Sequence, residues 1–226
     1  IQALISVFGQ IGSLGTRSRR AMGALALAAP PPHAFPAMLS FFLRPRGIVL
    51  RQLSGCGFPN CDAAVVALAA WLQGWRQHGR TTTHQAPPHD PDPLINPGFD
   101  FALRDHHEGA QVLGGAYPGP SITSHTPAGI AGETFRAALG LPIAQRFTGN
   151  GTVNWTLNAP NGDGRFASPV ILRPYRMSPT DWRALVIFVD AHQWPSGQMV
   201  DLDGTPRAVS LDLYNEMKRQ TPTPFP

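Results

Sequence analysis

The chain has 226 residues, of which 42% are hydrophobic and 14% charged, with a formal net charge of +4. That length suits one ordinary domain with an extension, or two small domains. The charge is too modest to be a nucleic-acid signature on its own, and two cysteines exclude both a disulfide framework and a four-cysteine zinc site. The 23 Gly and 24 Pro point to a loop-rich fold of short elements without reaching the level of a disordered low-complexity chain. Seventeen Arg against the single Lys218 suggest a GC-rich bacterial or phage source.

The charge is unevenly placed. Residues 1–80 carry eight Arg and one acid, Asp62, for a net of +7, whereas residues 81–226 sum to −3. Asymmetry of this kind marks a basic arm that meets something anionic, or a targeting segment. Arg17, Arg19, Arg20, Arg44 and Arg46 are the residues such an arm would use on a partner. Segment 16–30 combines an Arg cluster, an apolar run and small residues in the manner of an export signal, and Ser18-Arg19-Arg20-Ala21-Met22 has a twin-arginine pattern. Between Arg20 and Arg44 lie 23 residues without formal charge. Pro30, Pro31, Pro32 and Pro36 would break a spanning helix there, which favours a segment lying on a surface or against a partner.

The first regular element expected is a helix over 62–75, capped by Asn60 or Asp62, with Leu68, Leu72 and Trp75 on one face. Residues 81–98 contain five Pro and read as a linker. Cys56 and Cys61, four residues apart around Gly57 and Pro59, fit either a local disulfide or two free thiols.

Beyond the linker the pattern becomes that of a compact domain. A helix is expected over 127–139, because Thr126 offers a cap, Pro127 a first position and Gly140 a stop. Residues 143–159 read as a hairpin turning at Asn150-Gly151 with a two-residue loop. Phe166–Tyr175 reads as a strand whose Pro169 and Pro174 favour an edge. A helix is expected over 179–191, with Ser178 as cap and Pro179 as first residue, although the β-branched run Leu185–Val189 also suits a buried strand. Residues 198–209 read as a hairpin around Asp203-Gly204, and Ser210 caps a last helix over 211–219. The expected organisation is therefore a basic apolar N-terminal arm (1–80), a Pro/His linker (81–98) and an α+β domain (99–226) of short hairpins and three helices.

Three chemistries are open to these residues. Asp105-His106-His107-Glu108 is the densest ionisable cluster. Its His106, His107 and Glu108, with His125 and His192, could hold one divalent metal in an exported hydrolase or oxidoreductase, provided the residues sit in loops that bring them together. The plainer expectation for that cluster is a solvated loop. Trp155, Trp194 or Tyr175 could stack on a sugar in a carbohydrate-binding module. No complete set of nucleophile, base and orienting residue is present. The favoured expectation is thus a non-enzymatic structural or interaction subunit without a cofactor. It would dock through its basic arm on other protein subunits, or on an anionic membrane or nucleic-acid surface, and would be exported or particle-associated.

Overall fold

The computed structural model describes residues 39, 41–53, 56–76, 99–114, 132–141, 143–148, 152–159, 166–192, 194, 198–202, 204–221 and 223–224. In chain order the strands are β1 (Ile48–Gln52), β2 (Glu133–Thr134), β3 (Ile143–Thr148), β4 (Thr152–Asn158), β5 (Val170–Ser178), β6 (Asp181–Val189), β7 (Met199–Leu202), β8 (Thr205–Val209) and β9 (Thr223–Pro224). The helices are α1 (Cys61–Arg76), α2 (Phe99–Leu113) and α3 (Asp212–Gln220). The protein is of the α+β class, with a four-stranded and a five-stranded sheet in two compact units. The first unit comprises Ile1–Gln73, Pro169–Gln193 and Met217–Pro226, and the second Gly74–Ser168 and Trp194–Glu216.

The sheet of the first unit has the order β5-β6-β1-β9 and its pairings are antiparallel. Leu50, Ile187 and Ile171 share one cross-strand row, and Gln52, Leu185 and Arg173 the next. Leu39, Leu43, Leu50, Tyr175, Leu185 and Ile187 form a buried apolar cluster on this sheet. Each such side chain taken from water contributes about 1.5–3 kcal/mol.

Two expectations are corrected in this unit. Residues 179–191 are not helical: Ser178 pairs with Asp181 across a turn at Pro179-Thr180, and the chain continues as β6 before a short 3-10 turn at Asp190–His192. The intended cap instead stabilises the turn, since the Ser178 hydroxyl accepts from the Thr180 N–H at 3.3 Å. Ala184–Phe188 are buried without a break because β6 is an inner strand covered on both faces, and a continuous apolar run carries no period to separate strand from helix. Secondly, the N-terminal segment is not wholly an arm. β1 lies between β6 and β9, and Leu39, Leu43 and Leu50 belong to the buried cluster on that sheet. The linker assigned to 81–98 lies outside the described residues. β5 is an edge strand, as its prolines suggest.

The second sheet has the order β2-β8-β7-β4-β3, with β2 parallel to β8 and the other pairs antiparallel. Both expected hairpins, β3–β4 and β7–β8, are present. The pair Thr148↔Thr152 leaves three residues in the first loop, one more than expected. Ala137, Leu141, Ile143, Leu157, Trp194, Val200 and Leu202 make the core. The helix expected over 127–139 is also corrected for its described part. Gly132 is followed by β2, and only Arg136–Leu139 turn, as a 3-10 helix.

α1 and α3 agree with expectation. The Asn60 side-chain oxygen accepts from the Ala63 N–H at 2.9 Å, and Ala64, Leu68 and Trp75 are buried. Ser210 Oγ accepts from the Asp212 N–H at 3.3 Å, and Tyr214 and Met217 turn inward.

Candidate interaction surface

The stretch that leads into β1, helical at Phe41–Leu43 and closing in a 3-10 turn at Arg44–Arg46, places apolar and cationic side chains in solvent. Leu39 and Leu43 are buried, while Phe41 is 83% exposed and Phe42 39%. Arg44, Pro45 and Arg46 are all exposed. The Arg46 guanidinium lies 3.9 Å from the centre of the Phe42 ring and donates from Nη1 to the Phe42 carbonyl at 2.6 Å. The turn is tied down at its end: Gly47 N–H donates to the Arg44 carbonyl at 3.1 Å, and the Gly47 carbonyl accepts from Asp190 N–H at 2.7 Å. Two buried leucines and this closure hold Phe41 outward, with Arg44 and Arg46 exposed a few residues further on.

Of the five arginines singled out from the sequence, Arg44 and Arg46 follow the exposed Phe41 and Phe42, and Arg46 packs on the Phe42 ring. Arg17, Arg19 and Arg20 lie outside the described residues. No Asp or Glu precedes Asp62, so this stretch carries no internal counter-charge. The outward face of α1 is also poor in charge: Val66 is 67% exposed, and Ala69, Ala70 and Gln73 are exposed beside it in sequence order.

The Asp105–Glu108 cluster is placed quite differently from a solvated loop, and that expectation is corrected. It lies within α2, where Asp105, His107 and Glu108 are buried. Asp105 and Glu108 are three residues apart and share a helix face. Asp105 accepts from Thr134 Oγ1 at 3.1 Å, from Phe135 N–H at 2.8 Å, and from both Arg136 N–H at 3.0 Å and Arg136 Nε at 2.7 Å. Glu108 accepts from Gly132 N–H at 3.2 Å and Arg207 Nε at 2.7 Å. These carboxylates satisfy backbone donors of residues 132–136. Those N–H groups bond to α2 rather than to carbonyls one turn back, which explains why the segment is not an α-helix.

The metal reading does not gain a site from this placement. Among the described residues, no group of three or more His, Cys, Asp or Glu side chains could hold an ion. His106, His107 and Glu108 are on α2 of the second unit, and His192 ends a 3-10 turn in the first. His125 lies outside the described residues. Asp190, two residues before His192, takes Lys218 Nζ on both oxygens at 2.8 and 2.6 Å. The sugar-stacking reading is corrected for two of its three residues. Tyr175 is buried in the first core. Trp194 is buried edge-on to Phe166 at 4.9 Å, with its Nε1 donating to the Gln198 carbonyl at 2.9 Å. The Trp155 side chain lies outside the described set.

A buried polar group in the first unit was not anticipated. Arg173 and Tyr175 follow one another on the same face of β5 and are both almost fully enclosed. Burial lowers the Arg173 guanidinium to about 10, with Cys61 and Tyr175 opposing that shift. Burial likewise pushes Tyr175 up to about 12, against the pull of Arg173. The Cys61 thiol is raised by burial and by Asp62, while Arg173 lowers it. Cys56 and Cys61 are free thiols. The only sequence signal for this group was an Arg within an apolar strand. No family model, curated protein or solved structure matches the chain.

Proposed function

We propose that this chain is a non-enzymatic structural or interaction subunit of a larger assembly, held there through its basic N-terminal segment. The observation that carries the reading is the stretch 41–46, where an exposed Phe41 is followed closely in sequence by exposed Arg44 and Arg46, with no acid before Asp62. An exposed aromatic with arginines next to it is the composition enriched at the centre of protein interfaces. Leu39 and Leu43, which bracket the exposed aromatics, are buried and anchor this stretch to a core. Arg17, Arg19 and Arg20 extend the same charge along it, and residues 81–98 form a second Pro-interrupted stretch. Asp105 and Glu108, of the densest ionisable cluster in the chain, hold backbone and arginine donors, which supports a structural role for them.

The test is a full-length variant with Arg17, Arg19, Arg20, Arg44 and Arg46 all changed to Gln. Size fractionation of low-salt extracts should show the natural chain in a large species and the variant as a free, folded chain. If both migrate together, or if the natural chain is itself free, the reading fails.

A further inference from the structure

From the turn at 41–46 and the sequence that leads into it, we infer that this surface seats on the anionic face of a lipid bilayer. The inference rests on the docking role proposed above and names the partner. Phe41 is 83% exposed on a turn anchored by Leu39 and Leu43, so its ring is available to enter an apolar layer without disturbing the core. Arg44 and Arg46 are exposed a few residues further along the chain and supply cations that can pair with lipid phosphates. Arg46 is held by its contacts to the Phe42 ring and carbonyl, which fixes one cation beside the aromatic pair.

The flanking sequence separates a bilayer from other anionic surfaces. Residues 21–43 have no formal charge, and arginines bound them on both sides: Arg17, Arg19 and Arg20 before, Arg44 and Arg46 after. An apolar stretch bounded by arginines matches a layer that is apolar within and anionic at its face, because the Arg stems lie along apolar surface while the guanidiniums reach phosphate. A nucleic-acid groove needs cations spread along the contact, and this stretch has none over 23 residues. Pro30, Pro31, Pro32 and Pro36 in this sequence are incompatible with one continuous spanning helix, which favours contact at the bilayer face over insertion across it. No described helix is long and apolar enough to cross a membrane.

Co-sedimentation of the full chain with phosphatidylcholine vesicles, with and without phosphatidylglycerol, tests this. The chain should bind only the anionic vesicles and should be released by salt. Arg44→Gln should weaken binding about five-fold, and Phe41→Ala about ten-fold, with unchanged circular dichroism in both. Absence of vesicle binding, equal binding by the variants, or tighter binding to a single-stranded oligonucleotide would overturn the inference. A chain that assembles with protein subunits through this turn but ignores vesicles would overturn the lipid partner and leave the docking role standing.

Discussion

Asp105 grips Arg136 twice with one oxygen, which accepts from the backbone N–H at 3.0 Å and from the side-chain Nε at 2.7 Å. The pair is buried, with 2% of the Asp105 side chain and 9% of the Arg136 side chain exposed. Removing one partner of such a pair strands the other in a medium that cannot solvate it. Asp105→Ala is expected to destabilise the chain by about 3–5 kcal/mol in urea unfolding. A loss below about 1 kcal/mol, the scale of an exposed pair, would show that α2 does not hold residues 134–136 in this way.

Gly140 closes the 3-10 turn with φ +116, and a Cβ there would meet the Phe166 carbonyl oxygen at 3.0 Å and the Ser168 nitrogen at 3.1 Å. Both neighbours are backbone and neither can swing away. Gly140→Ala should cost roughly 2–4 kcal/mol. Gly204 also has positive φ, at +82, but a Cβ there faces open space. Gly204→Ala should cost only the conformational penalty of about 1–2 kcal/mol. Equal losses in thermal unfolding would contradict the close approach at Gly140.

Tyr175 provides a pH test. Its folded value is raised to about 12, so between 10 and 12 the folded chain holds a proton that the unfolded chain has lost. Its contribution is complete below 10 and fades as pH rises to about 12. Arg173 runs the other way: its folded value is lowered to about 10 from 12.5, so stability rises with pH across that interval. The two effects largely offset each other in the natural chain. Tyr175→Phe removes the falling one. The variant should therefore gain on the natural chain by on the order of 2 kcal/mol as pH goes from 10 to 12. A constant difference between the two over that range would contradict the burial of the phenol.

The position of β1 between β6 and β9 makes a prediction about fragments. A chain beginning at residue 38 keeps Leu39, Leu43 and β1 and should unfold cooperatively. A chain beginning at residue 95 lacks all three, leaving Leu185 and Ile187 without their cover. It should lose the first unit, seen as reduced strand signal in circular dichroism. If the shorter chain is as stable as the longer one, the four-stranded sheet is wrongly assigned.

The parts of the fold legible in the sequence were those set by local chemistry. Asn60 before an alanine-rich run and Ser210 before Leu211 marked helix starts, and alternation around Asp203-Gly204 marked a hairpin. What could not be read was set by partners distant in sequence. Ser178-Pro179 looks like a helix start, but Leu185–Phe188 pair on both edges with β1 and β5 and become a strand. Residues 132–139 lose their helix because carboxylates about 24–31 positions earlier take their N–H groups. α2 itself went unread because its inner face carries Asp105 and Glu108 where an apolar stripe is expected. The arginines of the candidate surface were visible as charge. The exposure of Phe41 was not, since nothing local distinguishes it from the buried Leu39 and Leu43 around it.

The docking role is tested most directly by placing a photo-reactive phenylalanine analogue at Phe41 and, separately, at Met199, then irradiating intact cells that make the full chain. Both positions are exposed apolar side chains, at 83% and 50%, so accessibility alone does not favour either strongly. Abundant adducts are expected from position 41 and few from position 199, with the position-41 adducts lost when Arg17, Arg19, Arg20, Arg44 and Arg46 are all changed to Gln. Equal adduct yields from the two positions, or adducts at 41 that survive those five changes, would contradict the docking role.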